Sequence, residues 1–318
     1  MESALGFGVV YSLCCYSLCS RSQIVAPNKY AASYGWSDNS VAVGDRITSA
    51  VKRPSMAAVI GCHFFPSTIV ALLFGQVNIL VFTGLVGFLF FYARNQDVLA
   101  GLSLAFTMTK PHLVYLALPI IVLFMIRERR WCALVAFSLM LIGSTAVVFL
   151  LRPTFLGEYL ASNTGGNLFA WETATLTTYL SLTLGLPWVR LIGVLLVPGI
   201  MVAWFFWCDK LTMLLWVEIT VLLSVITMPF GWSYDYVVLL LPLCQILAWL
   251  LMSIVTKREA ALISIILLIM YGLYYYHRVI TPSELYFFWV PLVIAGIYGW
   301  LFYRNQTQPT ALLIKRQT

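Results

Sequence analysis

Long uninterrupted apolar runs constrain this chain more than any other feature. Residues 131–151 hold no charged side chain over 21 positions, and a helix of that length rises about 30 Å, enough to cross a membrane. Hydrophobic residues make up 61% of the chain and charged residues 10%, with a mean hydropathy of +0.91. A soluble domain is more polar than this, so the sequence predicts an all-α, polytopic transmembrane helix bundle.

The apolar runs divide the chain into a multi-span domain and two flanking regions. We predict 10–11 membrane segments, some of them short or broken. A marginal one lies at 5–19, inside a weakly structured N-terminal region, 1–53. The multi-span domain covers 54–303, and 304–318 form a tail. The ten predicted segments of this domain are 54–73, 79–92, 98–109, 112–126, 131–151, 187–207, 211–229, 236–254, 260–276 and 285–303.

Basic residues predict the orientation of these segments. If Lys52 and Arg53 are cytoplasmic, alternation places twelve basic residues on that side, among them those of the turn 127–130 and the C-terminal tail. The net charge of +7 therefore indicates topology, and no nucleic acid partner is expected. Four basic residues fall on or near the opposite, outer side: Lys110, Arg152, Arg190 and Arg278.

Two polar interruptions lie where membrane helices should still be running. They are 75–78 (Gly-Gln-Val-Asn) and 110–112 (Lys-Pro-His). A lysine at the bilayer centre costs about 2.5 to 3.5 kcal/mol, so such groups must be buried in protein or line a watery cavity. The same alternation places these interruptions, the turn 231–235 and the long polar loop 152–178 together on the outer side. We expect the loop to act as a flap over an outward cavity.

Three ionisable residues are candidates for the chemistry. Lys110 is suited to neutralising a phosphate, although a lysine that merely snorkels at a helix end has the same pattern. His112 is a candidate acid or base, or a histidine satisfied by the backbone. Asp235 is expected either to act as a base or to pair with Lys110. The sequence leaves each pair of alternatives open.

The remaining candidates would contact sugars. The amides of Gln76 and Asn78 suit sugar hydroxyls and backbone capping equally well. Trp232 and Tyr234 offer aromatic platforms for a sugar ring or an isoprenoid chain, or belong to an interfacial aromatic belt. The seven cysteines show no metal or disulfide spacing, so neither a metal site nor a cofactor is predicted.

The motifs in this order resemble a known family. The stretch from about 52 to about 250 is similar to the polyprenol-phosphate-mannose-dependent mannosyltransferases, glycosyltransferase family 87, which have the GT-C architecture. The motifs that carry the resemblance are Phe64-Phe65-Pro66, Gly75-Gln76-x-Asn78, Asp97-x-x-Ala100-Gly101-Leu102, Lys110-Pro111-His112, Arg127-x-Arg129-Arg130-Trp131 and Pro229-x-x-Trp232-Ser233-x-Asp235.

The resemblance implies a membrane hexosyltransferase. The donor would be a polyprenyl-phosphate sugar, often of mannose, and the acceptor a lipid-linked or surface glycan. Transfer would occur at the outer face of the plasma membrane, with membrane lipids around the protein and its C-terminus in the cytoplasm. Lys110 would face the donor phosphate.

One departure from the family pattern concerns the catalytic acid. The family places an Asp or Glu in the first outer loop, whereas Asp38 and Asp45 lie in a different context on the predicted cytoplasmic side. We therefore expect this chain to lack the family's N-terminal spans and catalytic loop, with Asp235 or Glu158 as a replacement base. A secondary transporter and a non-catalytic subunit or decayed enzyme remain alternatives.

Overall fold

The chain forms a bundle of helices. The computed structural model describes residues 65–165, 171–251, 255–281 and 283–307, and these ranges contain α-helices, short 3-10 helices and connections. The α-helices are α1 (Pro66–Leu73), α2 (Asn78–Ala93), α3 (Asp97–Ala105), α4 (Ala117–Arg127), α5 (Trp131–Leu151), α6 (Phe155–Gly165), α7 (Leu176–Leu184), α8 (Ile192–Trp207), α9 (Met213–Thr227), α10 (Leu240–Leu251), α11 (Lys257–Ile280) and α12 (Trp289–Thr307).

The predicted all-helical membrane bundle is confirmed. Within the described residues, five helical stretches are long and apolar enough to cross a membrane: Trp131–Leu151, Pro187–Trp207, Ser233–Leu251, Lys257–Ile280 and Glu284–Gln306. Helices α2, α4 and α9, and the stretch Asp97–Thr109, are shorter apolar segments. Each predicted segment from 79–92 onward therefore corresponds to a helix in the structure. The marginal segment at 5–19, the N-terminal region 1–53 and the tail beyond 307 lie outside the described residues.

The predicted loop 152–178 is partly helical. Helix α6 occupies Phe155–Gly165, and α7 begins at Leu176, where Thr175 accepts a hydrogen bond from the backbone N–H of Thr178. The sequence analysis missed both helices, because neither has the apolar length of a membrane span. Among the described residues of this stretch, 152–154 and 171–175 are not helical.

Local sequence explains where several helices begin and end. Pro66 stands at the first turn of α1, where its missing N–H leaves no bond unmade. Gly75 has φ +58°, a left-handed conformation that glycine adopts without strain and that separates α1 from α2. At the start of α11, Thr256 and Glu259 exchange hydrogen bonds in a capping box.

Burial separates a central span from peripheral ones. In Ser233–Leu251, 78% of the span is buried within the protein, against 11% for Trp131–Leu151. Since α5 is the more apolar of the two and yet exposed, its outer surface is suited to lipid contact. Helix α5 packs closely against α3, where a Cβ on Gly101 would lie 2.1 Å from the Ala133 carbonyl oxygen.

The connections between helices form two opposite ends. We call the first the basic end. It contains the connections 94–97, 127–131, 208–212 and 256–259, together with residue 304. Arg130 contacts Asp97 at 3.0 Å there, and Arg304 contacts Glu259 at 2.9 Å. At the second, which we call the site end, hydrogen bonds join the connections 74–78, 106–116, 171–175, 228–239 and 281–288. The polar interruptions all lie at the site end.

Candidate functional site

The helix that carries Lys110 ends because its backbone cannot continue. After Ala105, α3 tightens into a 3-10 turn over Phe106–Thr109. Lys110 then leaves the helical conformation, with φ −143° and ψ 74°, before a second short turn, Pro111–Leu113. Pro111 has no N–H to donate and disfavours a helical residue before it. The lysine is thereby directed out of the helix and across the bundle.

Lys110 pairs with Asp235, which lies 125 positions further along the chain. Its Nζ is 2.8 Å from Asp235 Oδ1, and the other carboxylate oxygen accepts the backbone N–H of Trp232 at 2.9 Å. The Asp235 side chain is 0% exposed and that of Lys110 18%. Of the two roles expected for Asp235, pairing with Lys110 is thus the one this geometry favours, because both of its oxygens already accept hydrogen bonds.

Several contacts hold the turn that carries Asp235. Asn78 donates from its side-chain amide to the carbonyl of Tyr234. Arg278 binds Glu284 at 2.7 Å and also donates to the Ser233 hydroxyl, while the Ser233 N–H donates to Glu284 at 3.0 Å. These contacts bring α2 and the connection between α11 and α12 onto the same turn. Asp235 is therefore fixed by three separate parts of the chain.

His112 lies beside the ion pair, where it lines an apolar groove. Its ring is 4.8 Å from the ring of Phe230, centroid to centroid. Burial lowers the pKa of His112 from its ordinary value, the Lys110 ammonium lowers it further, and the Asp235 carboxylate opposes both. The imidazole is therefore neutral at neutral pH and able to accept a proton.

An apolar groove starts at His112 and follows α4. It encloses about 640 Å³, and the residues that line it are Pro111, His112, Tyr115, Leu118, Pro119, Val122, Leu123, Ile126 and Met201. From Leu118 to Ile126 the helix rises about 12 Å. We expected a cavity lined by Gln76, Lys110, His112 and Trp232. Of these four, His112 alone lines this groove, because the others belong to the polar side of the break.

Aromatic rings surround the polar side of the break. The rings of Trp232 and Tyr234 are stacked with their centroids 6.2 Å apart, and Trp171 lies 6.2 Å from Trp232. The Lys110 ammonium is 5.1 Å from the centroid of the Tyr234 ring, a distance at which the ring attracts a cation. Trp232, Tyr234 and Lys110 are thus close together, as the predicted site requires.

The amide candidates have different places. Asn78 is buried and anchors the turn of Tyr234, so its observed contact is with backbone. Gln76 lies in the turn before α2, where its N–H binds the Ala71 carbonyl. Glu158, a candidate base, is on α6 in an exposed pair with Arg152, away from the residues that contact Lys110. Among the described residues, no group of three or more His, Cys, Asp or Glu could hold a metal ion.

Sequence reasoning missed several residues that build this site. Arg278 and Glu284 hold the turn, Phe230 packs on His112, and Arg190 donates to the Trp171 carbonyl at 2.9 Å. One signal was available in the sequence. Arg190 and Arg278, like Lys110, are among the few cations that depart from the predicted charge asymmetry.

The fold and the site define a membrane-embedded helical protein with a paired cation between an apolar groove and an aromatic cluster. The chain belongs to glycosyltransferase family 87, whose sequence profile matches residues 39–229. The match includes Lys110 and His112 and ends before the turn that carries Asp235. No curated protein and no solved structure matches the chain. Family membership favours a glycosyltransferase over the transporter alternative.

Proposed function

We propose that this protein transfers a hexose, most simply mannose, from a polyprenyl-phosphate donor to a lipid-linked or surface glycan at the outer face of the plasma membrane. The observation that carries the proposal is the Lys110–Asp235 pair at the mouth of an apolar groove. A donor of this class joins a charged phosphate to a long apolar chain. The site offers a partner for each part.

Lys110 would bind the donor phosphate. An ammonium has three N–H donors, and among the described contacts the hydrogen bond to Asp235 uses one of them. The buried Asp235 carboxylate lowers the free energy of keeping this cation away from bulk water. The pair thus maintains a charged lysine at a place where an unpaired one would be costly.

The groove along α4 would hold the part of the polyprenyl chain next to the phosphate. Its lining is apolar apart from His112 and the hydroxyl of Tyr115, and it begins at the residues that follow Lys110. An isoprenoid chain loses no hydrogen bonds on entering such a groove, and its apolar surface is as favourably placed there as in lipid. The groove therefore positions the phosphate without opposing product release.

The transfer itself needs a base and a stabilised leaving group. The acceptor hydroxyl oxygen forms a bond to the anomeric carbon while the bond from that carbon to the phosphate oxygen breaks. The hydroxyl proton passes to a base, and polyprenyl phosphate leaves with an additional negative charge. Lys110 would stabilise this developing charge, which is the electrostatic term that usually matters most in such reactions.

Of His112 and Asp235, His112 is the better candidate for the base. Its lowered pKa keeps the imidazole neutral, and it lines the groove at the phosphate end. Asp235 would act on Lys110, because both carboxylate oxygens are occupied. Asp235 remains the alternative base if donor binding draws Lys110 away from it.

A transfer assay with the full chain in vesicles tests this function. The donor is a polyprenyl-phosphate mannose, and the acceptor a lipid-linked mannoside. We expect Lys110→Ala to abolish transfer and Lys110→Arg to retain part of it, because a guanidinium also binds phosphate. Lys210→Ala is the matched control, since Lys210 is exposed at the basic end and should leave transfer unchanged.

Filling the groove tests the position of the chain separately. Leu118→Trp should raise the KM for a long-chain donor, and should affect a donor with a single isoprene unit much less. Leu268→Trp is the control, since Leu268 is exposed on α11. Equal effects of the two substitutions on both donors would show that the chain lies elsewhere.

A further inference from the structure

Three aromatic side chains at the site end form a row that the proposed donor does not use. Trp171, Trp232 and Tyr234 follow one another with centroid distances of 6.2 Å at each step. Trp171 is 47% exposed, and the other two are partly buried. Tyr234 ends the row next to the Lys110 ammonium.

The row is held by contacts that an aromatic residue at a lipid interface would not require. The Arg190 side chain, in a residue that is 1% exposed, donates to the Trp171 carbonyl at 2.9 Å. Two further guanidinium nitrogens of Arg190 are buried and have no hydrogen-bond partner within the described residues. A buried cation is unfavourable unless it is paired, and the hydrogen bond described for the Arg190 side chain goes to the backbone of Trp171.

A second contact fixes the same segment to the turn. The Ala174 N–H donates to the Gly231 carbonyl at 2.8 Å, so the segment of Trp171 is hydrogen-bonded to the turn of Trp232. This contact holds the backbones that carry the two indole rings close together. A surface built this way can recognise the shape of a ligand.

Polar groups stand at both ends of the row. The Glu172 carboxylate, which accepts the Ser283 hydroxyl at 2.7 Å, adjoins Trp171, and Lys110 adjoins Tyr234. The C–H groups on one face of a pyranose are attracted to the electron-rich face of an aromatic ring, while its hydroxyls need donors and acceptors at the edges. An isoprenoid chain would gain nothing from the carboxylate or the ammonium.

We propose that Trp171, Trp232 and Tyr234 form the subsite for the acceptor glycan, and that this subsite takes at least two consecutive sugar rings. The reacting sugar would lie at Tyr234, next to Lys110, and the preceding sugar at Trp171. Trp171 is then the residue that makes the enzyme select an oligosaccharide over a single sugar. The inference rests on the proposed glycosyl transfer but concerns a different ligand and different residues.

Binding of mannose-containing sugars to the full chain in lipid nanodiscs tests the subsite without any transfer. The probes are methyl α-mannoside, an α-linked mannobiose and the corresponding triose, and Kd is measured by saturation-transfer NMR. We expect the biose and triose to bind more tightly than the mannoside. Loss of one aromatic contact is worth a few-fold to about tenfold in Kd.

Substitutions at Trp171 test whether this residue causes the tighter binding of longer sugars. Trp171→Ala should weaken the biose and triose by about three- to tenfold, and leave the mannoside unchanged. Trp171→Phe keeps an aromatic ring and should keep most of the dependence of Kd on sugar length. It also provides a conservative variant to compare if Trp171→Ala fails to fold. Trp131→Ala is the control, because Trp131 is similarly exposed at the basic end.

The outcomes separate this inference from the donor proposal. Length-dependent binding that persists in Lys110→Ala, a variant without transfer, would support the subsite independently of catalysis. Length-dependent binding in a protein that never uses polyprenyl-phosphate mannose would leave the subsite in place and overturn the donor. If Trp171→Ala and Trp131→Ala have the same effect, or if Kd does not depend on length, the subsite proposal is wrong.

Discussion

The two ends of the bundle use charge in different ways. At the basic end, Arg127 pairs with Asp209, and their side chains are 39% and 73% exposed. At the site end, Lys110 pairs with an Asp235 that is entirely buried. The first pair is in contact with water and the second is largely removed from it. The contribution of an ion pair to the free energy of unfolding depends strongly on this difference in exposure.

The comparison shows that a cation's place in the sequence and its partner in the structure indicate different things. The first indicates orientation in the membrane, and the second indicates a part in the site. Cations at the basic end occur as clusters in short connections, where they favour one orientation in the membrane. At the site end, Lys110, Arg190 and Arg278 occur singly, and each contacts an acceptor that the fold brings close. The ion pairs at the basic end join neighbouring connections, whereas these three cations build the site.

Breaking the buried pair should have the largest effect. Asp235→Ala leaves Lys110 without its carboxylate and the Trp232 N–H without its acceptor. We expect the free energy of unfolding to fall by about 3–5 kcal/mol, as for other buried pairs that lose one partner. Unfolding in mixed micelles, followed by circular dichroism, measures this change.

The double variant separates stability from function. Lys110→Met with Asp235→Leu removes both charges and should recover most of the lost stability, yet it should remain inactive in transfer. A cost below about 1 kcal/mol for Asp235→Ala would place this pair in the class of exposed ones. The contrast between the two ends would then fail.

The sequence predicts the basic end better than the site end. The clusters at Arg94, 127–130 and 257–258 can be counted directly, and the apolar runs between them predict every helix from α2 to α5 and from α8 to α12. Helices α6 and α7 were missed, since amphipathic or short helices at a membrane surface have no distinctive apolar length.

The site was predicted only in part, for a physical reason. Lys110, His112, Trp232 and Asp235 were recognised because polar residues are rare in such a chain. Their partners were not, because the pairing of Arg278 with Glu284 and the packing of Phe230 on His112 depend on which connections meet in space. The groove along α4 was missed for the same reason, since its lining residues resemble any apolar helix face.

Removing the imidazole should have the next largest effect, on rate rather than stability. Burial lowers the pKa of His112 below its ordinary 6.5, so the base form is present at neutral pH and is lost as pH falls through the lowered pKa. Transfer in the wild type should therefore decline as pH falls through this lowered pKa, on the acidic side of the ordinary value. His112→Gln should reduce kcat by about 10²–10⁴-fold.

The pH profile distinguishes a base from a structural residue. In His112→Gln the remaining activity should no longer decline over the acidic range that the wild type shows. If the same acid limb persists in His112→Gln, another group titrates there. Asp235, whose carboxylate is released if Lys110 moves to the donor, then becomes the first candidate for the base.

An intermediate effect is expected from removing Arg278, which holds the turn that carries Asp235. Arg278→Ala removes the cation from Glu284 and the donor from the Ser233 hydroxyl; Ser233 is buried and Glu284 largely so. A hydrogen bond to a charged group contributes about 1.5–3 kcal/mol. Because Glu284 keeps the Ser233 N–H as a donor, we expect a total loss of unfolding free energy in this range. Arg152→Ala is the matched control, since the Arg152–Glu158 pair is exposed and should cost about 1 kcal/mol or less.

The smallest effect should come from the basic end, where Arg127→Ala removes the partner of Asp209. Both side chains are in water, so the loss should be below about 1 kcal/mol. The dependence of each variant's effect on salt concentration distinguishes the two ion pairs most clearly. At about 1 M salt the screening length is about 3 Å, and the effect of Arg127→Ala should vanish, whereas that of Asp235→Ala should remain. Equal salt dependence of the two variants would mean that water reaches both pairs alike, and that the site end does not keep Lys110 in the protected environment its proposed role requires.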